Sequence, residues 1–194
     1  MISVSVIVPV YNEEATIIDL LNKVNAQTHA NLDLEVIVVN DGSTDNSLEL
    51  LETNSNLYSH LVTLSKNKGK GGAVKAGLKK ATGKYVLFQD ADLEYDPEDY
   101  KLLLHPIREF DADVVMGSRM IAPNYTRVHY FWHKIGNNLI TLIFNLLYNT
   151  TFTDVYSCYL LYRKDLINPD SLRTLGWEQH AEILAKSTKN AKFM

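Results

Sequence analysis

The sequence predicts an α/β fold, with a mostly parallel central sheet flanked by helices. Short apolar runs alternate with helical stretches in the order β-α-β-α-β-α-β-α-β. Some runs, such as 34–39, are almost continuously apolar, which suits strands covered on both faces. Polar clusters follow strand after strand, so they gather at the carboxyl edge of the sheet, where ligands bind in such folds.

Val4-Ser5-Val6-Ile7-Val8 is the first strand. Asn12 stands where it can cap the following helix, with Glu13 and Glu14 in a first turn that favours acidic groups. Ile17, Leu20, Leu21 and Val24 recur there at helical spacing. Residues 34–39 make the second strand, and Ser43 or Thr44 caps a helix holding Leu48, Leu50 and Leu51. Leu61-Val62-Thr63-Leu64 is the third strand, followed by a helix over 72–81. Residues 84–89 form the fourth strand, Pro97 starts another helix, and 114–116 form the fifth strand. Past Gly117 come a loop (118–126), a long apolar helix (128–148), a strand-like Cys158-Tyr159-Leu160-Leu161-Tyr162 and a helix over 178–189. No repeat or linker divides the 194 residues, which read as one domain.

Composition narrows the classes. With 46% hydrophobic and 22% charged residues, the chain is neither a fibre nor a disordered tail. A net charge of −4 argues against charge-driven nucleic-acid binding. Cys158 is the single cysteine, so no intrachain disulfide forms and a reducing compartment fits. It reads as a small buried hydrophobe rather than a nucleophile. The N-terminus lacks a basic signal region, and no apolar run is long enough to span a bilayer. The expected location is cytoplasmic, with helix 128–148 able to lie on a membrane surface but not to cross it.

Asp90-Ala91-Asp92 is the strongest local signal. Residues i and i+2 of extended chain point to one side, so two carboxylates can share a hard cation such as Mg²⁺ or Mn²⁺. Glu94 can assist. An isolated D-x-D is more often a solvated loop; the preceding strand and the other loops give this one its meaning. Six acidic residues and no base lie between Asp90 and Asp99, whereas 66–84 holds seven lysines and no acid. An acidic loop beside a basic loop suits a diphosphate with a divalent ion. Lys75 and Lys79 read as solvated, and Lys70, in Gly69-Lys70-Gly71-Gly72, is the candidate contact. Its glycines allow a phosphate to approach a helix N-terminus. Neither the P-loop pattern nor G-x-G-x-x-G is present. Asp41 ends the second strand and can accept from a ribose hydroxyl or a base N–H. His129 and His133 have zinc-compatible spacing but no evident third ligand.

As an ordered set these motifs resemble family 2 glycosyltransferases of the GT-A fold, nearest the polyprenyl-phosphate sugar transferases of which dolichol-phosphate mannosyltransferases are the type. The resemblance rests on Val6-Ile7-Val8-Pro9-Val10-Tyr11-Asn12-Glu13, Val38-Val39-Asn40-Asp41-Gly42-Ser43-Thr44-Asp45, Gly69-Lys70-Gly71-Gly72-Ala73, Asp90-Ala91-Asp92-Leu93-Glu94 and Gly117-Ser118-Arg119. Thr153-Asp154-Val155-Tyr156-Ser157-Cys158-Tyr159 and Gly176-Trp177-Glu178 extend it.

The resemblance implies that Pro9, Tyr11, Glu13 and Asp41 meet the nucleotide of a UDP- or GDP-sugar. It implies that Asp90 and Asp92, with Glu94, hold its diphosphate through Mg²⁺ or Mn²⁺. Arg119 would meet the acceptor phosphate or donor sugar, and Asp154 falls where the family places a base or an acceptor-orienting acid. Helix 128–148 would lie near a membrane interface. The implied reaction is an inverting, metal-dependent transfer to a polyprenyl phosphate. Two alternatives stay open: a glycan hydroxyl as acceptor, and a non-catalytic nucleotide-sugar-binding fragment, since family members usually continue past the last helix. A nucleotidyltransferase ranks last, because its glycine-rich N-terminal signature is missing.

Overall fold

The computed structural model describes residues 1–29, 31–118, 131–188 and 191–192. Six strands form the sheet: β1 (Ile2–Val10), β2 (Leu32–Asn40), β3 (His60–Thr63), β4 (Tyr85–Phe88), β5 (Val114–Met116) and β6 (Leu160–Arg163). Their order is β3-β2-β1-β4-β6-β5. The β1–β2, β1–β4 and β2–β3 pairs are parallel, while β6 runs antiparallel to both neighbours, β4 and β5. The mostly parallel sheet expected from continuous apolar runs is therefore present, with one reversed strand set into it.

The helices are α1 (Ile17–Asn25), α2 (Ser47–Thr53), α3 (Lys70–Leu78), α4 (Tyr100–Phe110), α5 (Phe131–Tyr148) and α6 (Gln179–Ser187). Each strand residue alternates between two cores. Val4, Val6, Val8 and Val10 of β1 face α1 and α4, packing with Leu20, Leu21, Leu103 and Leu104. Ile7 faces the other side, with Val74 and Leu78 of α3 and Ile183 and Leu184 of α6. Burial on both faces removes the polar alternation a half-exposed strand would show.

Element boundaries differ from the sequence expectations mainly at helix starts. Pro97 opens a short 3-10 turn (Pro97–Asp99), and α4 begins after it. The helix expected over 72–81 starts two residues earlier, at Lys70, and ends at Leu78. α5 matches the apolar helix where it is described; 128–130 lie outside the described residues. Its apolar residues mostly face out: only Thr141 and Phe144 are buried, while Trp132, Leu146 and Leu147 are 74–76% exposed. No described helix is long and apolar enough to cross a membrane.

Candidate functional site

β1 pairs with β2 as far as Val10↔Asn40, but with β4 only as far as Ile7↔Phe88. The last bond on that side is Gln89 N–H to the Ile7 carbonyl, 3.1 Å. Pro9, which has no N–H to offer, stands just beyond. The chain leaves β1 toward β2 and β3 and returns to β4 on the opposite side, which makes β1/β4 the switch point where a crevice opens at the strand carboxyl ends. Tyr11 and Glu13 follow one strand, and Asp90 and Asp92 the other.

Hydrogen bonds stitch the loops together. Asn12, at φ +58°, accepts on Oδ1 from the Thr44 N–H (2.8 Å) and donates its own N–H to Ser43 Oγ (3.1 Å). The Glu13 N–H donates to the buried Ser47 Oγ at 2.8 Å. Asn12 therefore ties two loops and does not cap α1, which begins after Thr16 with Asp19 rather than Glu13 or Glu14 in its first turn. Ser43 and Thr44 likewise do not cap α2. Its N-cap position is Asn46, and Asp45 Oδ1 accepts from the Ser47 N–H. In both cases the side chains meet partners on another loop, a competitor invisible to local cap rules.

Asp41 is buried, and its Oδ1 accepts from the Lys68 N–H at 2.8 Å. Burial pushes its carboxyl above the usual range, and the N–H groups of Lys68 and Gly69 pull it back. The lysine-rich loop is thus anchored to the end of β2.

The acidic residues feel one another. Partial burial pushes the Glu13 carboxyl up, and although its bond from Thr16 opposes this, Asp92, Asp90 and Asp45 push it further. Asp92 is raised by loss of hydration, then by Asp90 and Glu94; its carboxylate lies at the surface, so water softens the effect. Asp92 Oδ1 accepts from the Glu94 N–H at 3.0 Å, and Leu93 between them takes φ +62°, a strained value for leucine.

Behind this loop, the fully buried Gln89 donates to the carbonyls of Asp90 and Tyr95, both at 3.1 Å. Its Oε1 accepts from the hydroxyls of Tyr100 (2.9 Å) and Tyr159 (3.3 Å). Lys70 Nζ lies 2.5 Å from Asp90 Oδ1 and 4.3 Å from the centre of the Trp177 ring. Nζ is shielded from solvent, held by the Asp90 charge and the face of the Trp177 ring.

The glycines beside Lys70 serve a different contact from the expected phosphate approach. The Gly71 N–H donates to the Leu175 carbonyl at 2.8 Å. A Cβ on Gly71 would sit 2.6 Å from that carbonyl carbon, and one on Gly69 2.7 Å from its oxygen. The second amide of α3 is thus taken by a strap, 172–176, rather than left for an anion. The strap is held by Glu182 of α6, which accepts from the N–H groups of Arg173 and Thr174 and from Thr174 Oγ1. Lys75 also donates to the Leu172 carbonyl at 2.9 Å, so it is a structural contact rather than a solvated lysine.

Asp154 is 1% exposed and accepts from Asn137 of α5 at 3.0 Å. The neighbouring Thr153 donates to Ser118 Oγ at 2.9 Å, joining this turn to the end of β5. Arg119 and His129 lie outside the described residues. Among the described residues no three His, Cys, Asp or Glu side chains gather as a closed metal cage. Asp90 and Asp92 do supply the hard oxygen donors that Mg²⁺ or Mn²⁺ prefers, and their mutual repulsion is what a cation relieves. They fit a cation that would complete its shell with diphosphate oxygens and water. Cys158 is buried beside the Phe88 carbonyl, and burial pushes its thiol well up, as suits a hydrophobe.

Sequence reasoning gave no site role to Gln89 or Leu175, and it quoted Trp177 only within the Gly176-Trp177-Glu178 motif, without a role. Gln89 left a signal: a polar residue ending an otherwise apolar strand. Leu175 left none, because its backbone is what touches the loop.

Comparison with known proteins matches this architecture. The profile described as glycosyl transferase family 2 covers residues 5–169. A dolichol-phosphate mannosyltransferase of Pyrococcus furiosus is 28% identical over 186 residues, 94% of this chain and 52% of the relative. An undecaprenyl-phosphate 4-deoxy-4-formamido-L-arabinose transferase of Proteus mirabilis is 33% identical over 170 residues, 85% of this chain and 50% of the relative. The crystal structure of Staphylococcus aureus TarS 1–349 with UDP superposes with a TM-score of 0.70 at 28% identity, covering 98% of this chain and 56% of that one. The chain spans about half the length of the relatives it matches. With a sheet of GT-A type, a D-x-D loop at the β1/β4 switch point and a family profile spanning most of its length, the chain belongs to glycosyl transferase family 2.

Proposed function

We propose that this chain is a single glycosyltransferase domain, 1–194, that moves a sugar from a UDP- or GDP-sugar to a polyprenyl phosphate with inversion. The observation that carries this reading is the closeness of Glu13, Lys70 and Asp92 to Asp90 at the β1/β4 switch point, with Asp41 anchoring the lysine-rich loop through the Lys68 N–H. The names of the two lipid-phosphate relatives support the acceptor. The outward-facing apolar helix α5 supports a membrane-bound acceptor, approached from the cytoplasmic face. Such a role belongs to cell-envelope or lipid-linked glycan synthesis.

Pro9, Tyr11, Glu13 and Asp41 would line the nucleoside end of the donor. Asp90 and Asp92, with Glu94 at the rim, would hold Mg²⁺ or Mn²⁺. A cation there supplies charge neutralisation for the leaving diphosphate. Lys70 adds a second positive charge at the same end of the site. A single displacement, with the acceptor oxygen attacking opposite the leaving group, inverts the sugar. A phosphate acceptor is already ionised near neutral pH, so it needs no strong base. The burial of Asp154 and its bond from Asn137 suit a positioning acid for the acceptor side. Arg119, one residue past Ser118, would meet the acceptor phosphate.

A second reading, transfer to a glycan hydroxyl, is favoured by a relative named poly(ribitol-phosphate) beta-N-acetylglucosaminyltransferase TarS, 33% identical over 177 residues. Asp154→Asn separates the two: a loss of only a few-fold fits a phosphate acceptor, and a loss of about 10²–10⁴ fits a base for a hydroxyl. The primary test is calorimetric titration with UDP- and GDP-sugars, with and without Mn²⁺, on wild type and Asp92→Ala. Metal-dependent binding of one donor, lost in the variant, is expected. No binding to folded protein would sink the transferase reading, and binding without turnover onto any acceptor would leave the non-catalytic one.

A further inference from the structure

The geometry points to Lys70 as a built-in counter-cation that occupies Asp90 until donor and metal arrive together. This inference rests on the reading of Asp90 and Asp92 as the cation-holding pair. Three observations carry it. Lys70 Nζ stands 2.5 Å from Asp90 Oδ1, with side-chain exposures of 11% and 14%, so the charge on Asp90 is neutralised internally. Nζ is shielded from solvent, so an ammonium displaced from Asp90 finds no water at its present place. Trp177, on the segment that follows the strap, puts its ring 4.3 Å from Nζ on another side and gives the ammonium a face but no acceptor.

A divalent cation arriving alone must therefore evict the ammonium from Asp90. The displaced charge would be left half-buried beside an indole, with no acceptor in its place. A nucleoside diphosphate changes this exchange. Its oxygens accept the ammonium, Asp90 is released to the divalent ion, and each charge keeps a partner. Metal and diphosphate then raise each other's affinity by the same factor, as linkage demands.

The test measures free Mn²⁺ by electron paramagnetic resonance in titrations of nucleotide-free wild type, Lys70→Met and Lys70→Arg. Calorimetric titration with uridine and guanosine diphosphates in excess Mn²⁺ is the second arm, and circular dichroism checks each fold. Lys70→Met is expected to bind Mn²⁺ alone at least about tenfold more tightly than wild type, a difference of about 1.4 kcal/mol. Lys70→Arg, which keeps the charge, should stay within about threefold of wild type. Lys70→Met should also bind the diphosphate about tenfold more weakly, having lost its partner. Should Lys70→Met fail to fold, Lys70→Gln takes its place with the same expectation. Unchanged or weaker Mn²⁺ binding in the variant overturns the counter-cation role; intact diphosphate binding by wild type would then leave the transferase reading standing. If neither wild type nor variant binds Mn²⁺ or Mn²⁺-diphosphate, both fall.

Discussion

The backbone N–H of Gly71 donates to the carbonyl of Leu175, so the start of α3 and the strap share one hydrogen bond across two distant parts of the chain. Only a residue without Cβ permits it, since an added carbon would meet Leu175 backbone at 2.6 Å. Gly71→Ala is therefore expected to destabilise the fold by about 1–3 kcal/mol. It should also loosen Trp177 from Lys70. Urea unfolding measures the first effect. Tryptophan emission in a Trp132→Phe background, which reports Trp177 alone, measures the second.

Glu182 holds the strap from below. Burial works against its charge, but Lys186, Thr174 and the Arg173 and Thr174 amides outweigh it and bring the carboxyl down to about 2. A carboxylate depressed in the folded state adds stability above its unfolded value, and the gain is lost as pH falls toward the folded one. Glu182→Gln should cost about 1–3 kcal/mol at neutral pH, with the difference from wild type shrinking between about pH 4.5 and pH 2. A pH-independent difference would deny the charge its role.

Asp90 and Asp92 should respond in opposite ways when no ligand is bound. Asp90→Asn leaves Lys70 without its counter-charge and should lower the melting temperature. Asp92→Asn keeps the oxygen that accepts from Glu94 N–H and removes a carboxylate already pushed up by its surroundings. A raised carboxyl is a cost present above its folded pKa and relieved as pH falls through it. Asp92→Asn should therefore melt higher than wild type at pH 7, with the gap closing toward pH 4. Both variants should lose metal-dependent donor binding. A melting scan beside the donor titration separates stability from function.

Gln89 fixes the D-x-D loop from behind. Gln89→Leu strands the hydroxyl of Tyr100 and the carbonyls of Asp90 and Tyr95, while the Tyr159 hydroxyl keeps the Asp96 carbonyl. The expected cost is about 1–3 kcal/mol, with weaker donor affinity although Gln89 touches no donor. An unchanged dissociation constant would remove it from the positioning role.

The apolar face of α5 gives a cheaper test of lipid proximity. Leu142 and Leu146 are 55% and 75% exposed. Glutamate at both should change stability by less than about 1 kcal/mol, since both side chains are exposed. Co-sedimentation with phosphatidylglycerol vesicles should drop sharply. Equal vesicle binding by wild type and variant would detach α5 from the membrane role.

Several parts of this molecule were legible in the sequence because they are locally encoded. Continuous apolarity marked β2, and 114–116 marked β5 to the residue. The gathering of polar clusters at the carboxyl edge of the sheet followed from their place after each strand. What stayed hidden was long-range. Asn12 is a sound cap residue by local rules, yet its side chain reaches Thr44. Gly69 and Gly71 read as room for a phosphate, yet their missing side chains make room for Leu175. Asp154 was marked by resemblance, but only the fold shows it buried against Asn137.

The reversed strand has a consequence for how the chain is made. β5 is complete by residue 116, yet its only ladder partner among the described strands is β6, at 160–163. Nascent chain emerging to β5 can zip β3-β2-β1-β4 into a four-stranded sheet, but β4 keeps a bare edge and β5, though α4 is there to pack on, has no strand to pair with. The edge behind the D-x-D loop is sealed only when β6 arrives. Tyr159, which grips Gln89, arrives at the same moment. Pulse-labelled hydrogen exchange during refolding should accordingly show β1 and β2 amides protected before those of β5. Simultaneous protection would mean that the sheet closes in one step.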